Sequence, residues 1–159
     1  MVTALAEQID PLLPARFGSR IPAGRLGATL RPSVPVLLKA LEHVRGRRQM
    51  TVRVIGPRPL TMPRHPATSG TAYLTRRRSA ALALPPELAP LSTAVQPFVV
   101  DQRMQPGRAA VRATLFHLVR REDVAAYRRA LEAALPAISP WSAVATGPWP
   151  PFAFTPAFA

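Results

Sequence analysis

The sequence predicts an α+β domain with a ferredoxin-like core over residues 46–147, and two observations support this fold class. From residue 48 onward, stretches that alternate with period two and stretches with apolar residues every three or four positions follow the order strand, helix, strand, strand, helix, strand. In addition, 48% of the 159 residues are hydrophobic, which is enough for a real core. Two right-handed crossovers then place both helices on one face of an antiparallel sheet.

Before this core, residues 1–45 are predicted to form an extended segment and a helix. A short helix fits residues 3–10, and residues 12–21 are expected to be an extended, partly apolar segment that Pro14 excludes from a central strand position. A helix follows within residues 26–44, where apolar residues recur at helical spacing. Its start falls at the prolines of the first turn, and Gly46 is placed to end it.

Each element of the core has its own signal. In the first strand, Met50, Val52 and Val54 alternate with residues of the opposite face. The clearest strand carries Leu115 and His117 on one face, and the last helix carries a stripe that includes Leu131. The predicted elements are a strand at 48–55, helices at 71–84 and 87–95, strands at 98–104 and 110–120, a helix at 122–135 and a strand at 142–146.

Residues 148–159 form a tail rich in proline and aromatic residues. No charged residue and no histidine occurs between positions 133 and 159, so a solvated disordered tail is a poor interpretation. The tail is predicted to pack on its own domain, and docking into a partner is compatible with that packing. We expect Trp149, Phe152 and Phe154 to lie in one apolar groove near Phe17, with Trp149 as the principal anchor.

The charge balance is strongly basic, with 21 Lys and Arg against 8 Asp and Glu, a formal net charge of +13. Such a balance attracts polyanions, and a small basic RNA-binding ferredoxin-like module is therefore the alternative function. However, Lys39 is the only lysine, and a high share of Arg together with Ala and Pro is typical of GC-rich coding sequences. The predicted central strands carry only one aromatic residue, Phe116, for stacking on bases. No specific nucleic acid partner is expected.

No motif indicates catalysis, a metal site or a cofactor. Cysteine is absent, and His43, His65 and His117 are not spaced with one another or with carboxylates as metal ligands. Glu122 and Asp123 suit the first turn of a helix rather than an acid–base pair. No apolar run is long enough to span a bilayer. We therefore expect no enzyme activity, no cofactor, no metal and no membrane span.

Five segments carry a resemblance to a known family. The tail GPWPPFAF resembles the C-terminal Gly-Pro-Trp-Pro-Pro-Tyr-Ser-Phe signature of the gas vesicle protein L/F family, with Phe152 for Tyr and Ala153 for Ser. In the segment at residues 41–54, Gln49 stands where the family usually has Glu. The other four segments are LLPARFGSRI (12–21), LEHVRGRRQMTVRV (41–54), SGTAYLTRRR (69–78) and LVRREDVAAYRRALE (118–132).

The resemblance implies a cytoplasmic, gas-vesicle-associated accessory protein that contacts the shell protein or other accessory proteins. Family members are usually longer at the front, with an additional N-terminal α/β region. Residues 1–45 are accordingly expected to be the remnant of the family's first domain. The residues that match the family's motifs, expected to bind a partner or dock the tail, are Arg16, Phe17, Gly18, Tyr73, Leu74, Trp149, Pro150, Pro151, Phe152 and Phe154.

Overall fold

The structure is a computed structural model that describes residues 2–15, 20–56 and 84–156, and both helices and strands occur in them. The α+β class predicted from the sequence is confirmed. The helices are α1 (Val2–Gln8), α2 (Leu26–Leu30), α3 (Val34–Val44), α4 (Ala89–Val95) and α5 (Val124–Ala134). The strands are β1 (Arg47–Ile55), β2 (Val99–Pro106), β3 (Val111–Arg120) and β4 (Ser142–Trp149). None of these helices is long and apolar enough to cross a membrane.

The strands form one sheet in the order β2-β3-β1-β4, and every neighbouring pair is antiparallel. The alternation in β1 sets its register, because Met50 lies opposite His117 of β3 and Val52 opposite Leu115. Slipping by one residue would turn these apolar side chains to the other face. The central strands β1 and β3 therefore define the two faces of the sheet.

One face of the sheet packs against α4 and α5. The stripe predicted for the last helix is buried here, with Tyr127 and Leu131 pointing to the sheet. Apolar side chains from all four strands and both helices close this larger core. Its buried members are Met50, Val52, Val54, Leu88, Leu91, Val95, Ala113, Leu115, Val119, Tyr127, Leu131, Ala134, Ile138 and Ala143.

The opposite face of the sheet, called the second face below, is covered in part by the ends of the described chain. Val44 at the end of α3, Leu118 of β3 and Phe154 of the tail form a smaller buried cluster. Leu13 and Phe116 pack against it partly buried. The segment before α2 and the tail after β4 thus meet on this face.

Two details differ from the sequence-based boundaries, namely an additional short helix before α3 and a longer β4. The helix predicted in the second half of residues 26–44, starting at the prolines, is α3, and the structure adds the short helix α2 before it, with Pro32 in the 3-10 turn between the two. Gly46 then follows α3 in the left-handed region at φ 64°. Strand β4 runs to Trp149 and so passes the boundary expected at residue 147. The predicted helix at 71–84 lies almost wholly outside the described residues.

Candidate interaction site at the aromatic tail

The tail leaves the sheet through Gly147, whose φ of 121° is in a region that residues with a side chain rarely adopt. A Cβ at this position would lie 2.8 Å from the backbone oxygen of Gln49. Both conditions require glycine, and they let β4 stay paired to β1 up to Trp149. The indole nitrogen of Trp149 donates a hydrogen bond to Thr146 Oγ1 at 3.3 Å.

Gln49 joins the tail to the sheet from a buried position in β1. Its Oε1 accepts a hydrogen bond from the backbone nitrogen of Ala153 at 2.7 Å. Its Nε2 donates to Thr51 Oγ1 at 3.1 Å, so both ends of the buried amide have partners. An apolar residue at position 49 would leave the amide of Ala153 without this acceptor.

Two further contacts hold the same stretch of the tail. Arg103 of β2 donates a hydrogen bond to the carbonyl oxygen of Ala153 at 2.6 Å, and its guanidinium carbon lies 5.2 Å from the ring centre of Phe154. This second distance is within the range of a cation–π interaction. On the other side, the hydroxyl of Thr155 donates to the carbonyl oxygen of Pro14 at 3.1 Å. The tail is therefore tied to two strands and to the N-terminal segment.

The three aromatic residues of the tail have different environments. Phe154 is 2% exposed, whereas Trp149 and Phe152 are 41% and 40% exposed. The expectation that all three lie in one groove, with Trp149 as the principal anchor, is wrong for Trp149 and Phe152. The reason is local, because Pro150 and Pro151 are buried between them and the chain enters a 3-10 turn at Phe152.

A cleft of about 280 Å³ lies beside Trp149, between α1, the end of β4 and the start of α5. Arg48 borders it and is held in place, since it donates to the carbonyl oxygen of Ala6 at 2.9 Å and pairs with Asp10 at 3.4 Å. The complete lining is Ala6, Glu7, Arg48, Arg121, Val124, Pro148, Trp149 and Pro150. The exposed side of the tail therefore combines an aromatic ring, proline rings and arginine.

Five of the residues expected to form the site lie outside the described residues, namely Arg16, Phe17, Gly18, Tyr73 and Leu74. The predicted contact between the tail and Phe17 falls among them. Gln49, Arg103 and Thr155 hold the tail and were not expected to do so. The sequence offered a signal for Gln49, because the resemblance to the family already singled out that position. It offered none for Arg103, which is an ordinary Arg in a short predicted strand.

His117 and Tyr127 form a buried polar pair within the larger core. His117 Nδ1 lies 2.7 Å from the hydroxyl of Tyr127, and the two rings meet edge to face with centres 5.7 Å apart. Burial lowers the pKa of His117 from 6.5 to about 4 and raises the pKa of Tyr127 above its usual range. Both side chains are therefore neutral at pH 7, and the pair is a packed hydrogen bond rather than an acid–base centre.

The other histidine that the structure describes, His43, connects the C-terminal end of α3 to β2. His43 Nε2 lies 2.9 Å from Asp101 Oδ2 of β2, and the guanidinium of Arg47 donates to the carbonyl oxygen of His43. Within residues 2–15, 20–56 and 84–156, no three His, Asp or Glu side chains come together as a metal site. His65 lies outside those ranges.

Comparison with known proteins gives one family and a set of similar structures. The family model of gas vesicle synthesis protein GvpL/GvpF matches residues 1–156. The crystal structure of GvpF from Anabaena sp. PCC7120 superposes with a TM-score of 0.67 at 14% identity, covering 97% of this chain and 70% of that one. GvpF from Microcystis aeruginosa gives 0.66 at 13%, covering 96% and 73%. No curated protein sequence matches.

Proposed function

This chain belongs to the gas vesicle synthesis protein GvpL/GvpF family, and we propose that it acts as a non-enzymatic accessory protein in gas vesicle assembly. The observation that carries the proposal is the family match, which extends over residues 1–156 and includes every described element. The protein works by contacts with the shell protein or with other accessory proteins. Its place of action is the cytoplasm, at the forming vesicle.

The fold we infer for this role is ferredoxin-like. Supporting it are the strand order β2-β3-β1-β4 with antiparallel neighbours, and the packing of α4 and α5 on the same face. The likeness to the two GvpF structures supports the same overall arrangement. Residues 1–45 and the tail are additions to this core, and both contribute to its second face.

The part of the tail that we assign to partner contact is its exposed side. Trp149 and Phe152 each keep about two fifths of their surface exposed, and large aromatic residues are typical anchors of protein interfaces. Their backbone is held by Pro150, Pro151 and the bonds from Gln49 and Arg103, so little conformational entropy is lost on docking. Arg16, Phe17, Gly18, Tyr73 and Leu74 remain proposed contact residues on the strength of the resemblance.

An RNA-binding module has less support. RNA-recognition modules stack bases on aromatic residues of an open sheet face. Here the aromatic residue of β3 on the second face, Phe116, packs beside Phe154 and is partly covered. In addition, two arginines of the central strands form ion pairs within the chain, Arg48 with Asp10 and Arg120 with Asp123.

A complementation experiment tests the proposal. A gas vesicle gene cluster from which the GvpL/GvpF member has been deleted is expressed with this chain, and vesicles are scored by buoyancy and electron microscopy. We expect the chain to restore vesicles and the double variant Trp149→Ala, Phe152→Ala to restore fewer. Val144→Ala, which alters an apolar residue of β4 that is 50% exposed, is the matched control and should restore them fully.

One result would overturn the assembly role, and another would overturn only the contact assigned to the tail. If folded wild-type protein restores no vesicles in any tested cluster, the assembly role is wrong. If the double variant and Val144→Ala act alike, the assignment of the contact to the aromatic tail is wrong, whereas the assembly role stands. Far-UV circular dichroism on each purified variant shows whether the protein is folded.

A further inference from the structure

Helices α2 and α3 expose an unusual amount of apolar surface. Leu26, Val34, Val36 and Leu38 are between 43% and 56% exposed. In α3 only Val44, at its C-terminal end, is fully buried, where it joins Leu118 and Phe154 on the second face. Leu37, Ala40 and Leu41 are half-buried, so the exposed apolar side chains of α3 are those of Val34, Val36 and Leu38.

The pattern of α3 explains why one contact does not cover it. At 100° per residue, its Val, Leu and Ala residues occupy an arc of about 200°, about twice the stripe that a helix needs to pack on one neighbour. Val36 and Leu38 mark the two edges of this arc. The middle of the arc is buried at Val44 and half-buried at Leu37, Ala40 and Leu41, whereas its two edges are exposed.

The same region carries mainly positive charge, and the exposed Glu42 in the last turn of α3 is the one acidic residue of these two helices. Residues 11–41 contain no Asp or Glu, and the described basic residues among them are Arg20, Arg25, Arg31 and Lys39. None of these four lies in an ion pair with a carboxylate that the structure describes. Below, the α2–α3 surface means Leu26 and the neighbouring Val34 and Leu38 on one edge of the arc, together with Arg25, Arg31 and Lys39; Val36 lies at the other edge.

We propose that the α2–α3 surface binds an amphipathic helix of a partner protein whose apolar stripe is flanked by acidic residues. This contact rests on the assembly function proposed above and is separate from the aromatic tail. Leu26, Val34 and Leu38 supply apolar surface, and the three basic residues, which outnumber Glu42, supply charge complementarity. A helix of three turns matches the length of α3, which at 1.5 Å per residue is about 16 Å.

Other occupants fit the surface less well. A second copy of this chain would bring two positive surfaces together and cost repulsion. A nucleic acid duplex offers no apolar stripe for Val34 and Leu38. An anionic bilayer carries the same negative charge as the proposed partner helix. However, helices that lie on membranes typically insert aromatic residues, and α2 and α3 contain no Phe, Tyr or Trp.

Fluorescence anisotropy with synthetic peptides tests the proposal on the full chain. The probe is a labelled 18-residue amphipathic helix with Leu on one face and Glu on the other. One control peptide replaces every Glu by Gln, and a second has the original residues in scrambled order. We expect the Glu peptide to bind at least about tenfold more tightly than either control at low salt, with affinity falling as salt rises.

Protein variants then locate the contact. Val34→Gln with Leu38→Gln should weaken binding by about tenfold or more. Arg31→Gln with Lys39→Gln should weaken it and reduce its salt dependence. Val144→Gln changes an equally exposed apolar residue on β4 and should leave binding unchanged. All these positions are exposed in part, and circular dichroism verifies that each variant is folded.

The outcomes separate this inference from the assembly function. Equal binding of the three peptides, or equal weakening by Val144→Gln, overturns the α2–α3 assignment. If the protein binds phosphatidylglycerol vesicles and not the Glu peptide, the surface binds membranes and the proposed partner helix is wrong. If the protein self-associates and Leu38→Gln abolishes this, the surface is a dimer contact and the proposed partner helix is wrong. If peptide binding fails while the chain restores vesicles in complementation, only this inference is lost.

Discussion

Replacing Phe154 by alanine is expected to remove the main apolar anchor of the tail. The side chain is 2% exposed and packs with Val44 and Leu118, so its loss leaves a cavity on the second face. Phe-to-Ala changes in cores cost about 3–5 kcal/mol. Loss of the cation–π contact between the Arg103 guanidinium and the Phe154 ring adds about 0.5–1 kcal/mol.

Urea unfolding followed by far-UV circular dichroism measures this effect, and Phe152→Ala is the matched control. At about 2 kcal/mol per M for a domain of this size, a loss of about 4 kcal/mol lowers the urea midpoint by about 2 M. Phe152 is 40% exposed, so its replacement should cost less than about 1 kcal/mol. Phe154→Leu, which keeps most of the apolar volume, should fall between the two.

The measurement has a clear contradictory result. If Phe154→Ala and Phe152→Ala lower the midpoint equally, the tail does not depend on Phe154. If both leave the midpoint unchanged, the tail contributes nothing to the stability of the sheet. Either result would refute the assignment of the tail to the smaller core.

Three other predictions concern the larger core and the turn before the tail. The pKa of His117 is about 4 in the folded chain and 6.5 in the unfolded chain, so the unfolded chain gains the proton first as pH drops. The free energy of unfolding therefore falls by about 3 kcal/mol between pH 6.5 and pH 4. In denaturant titrations across this pH range, a His117→Gln variant should lack that part of the decline. Gly147→Ala should lower stability by about 1–3 kcal/mol because of its φ of 121°, whereas Gly24→Ala, with open space around it, should leave the melting temperature almost unchanged; equal melting temperatures would contradict the strain. Leu131→Ala should cost about 2–5 kcal/mol and the exposed Arg129→Ala less than about 0.5 kcal/mol, and similar urea midpoints would show that the helix face is misplaced.

Much of the fold could be predicted because its signals are local. The alternation of Met50, Val52 and Val54 and the stripe containing Leu131 each depend on neighbouring residues, and both are buried as predicted. The end of β4 was harder to predict. Gly147 followed by proline indicates a turn in sequence, and only the pairing of Trp149 with Gln49 shows that the strand continues.

The site was predicted less fully because its contacts are distant in sequence. Composition shows that the tail is aromatic and constrained, but the three rings look equivalent. The tail is held beside the buried ring by the bonds of Ala153 to Gln49, 104 positions earlier, and to Arg103, 50 positions earlier. No periodicity in the tail records those partners.

The hydrogen bond between Thr155 and Pro14 spans 141 positions, and this separation has a consequence for synthesis on the ribosome. Phe154 and Thr155 are made after the described strands of the sheet, so the part of the second face that the tail covers stays open while the rest of the domain emerges. Chain elongation at about 5–20 residues per second leaves this surface uncovered for seconds, and contacts between distant residues also form slowly. During that interval Leu118 and Val44 are accessible to chaperones or to neighbouring nascent chains, and the arrival of the tail ends the exposure.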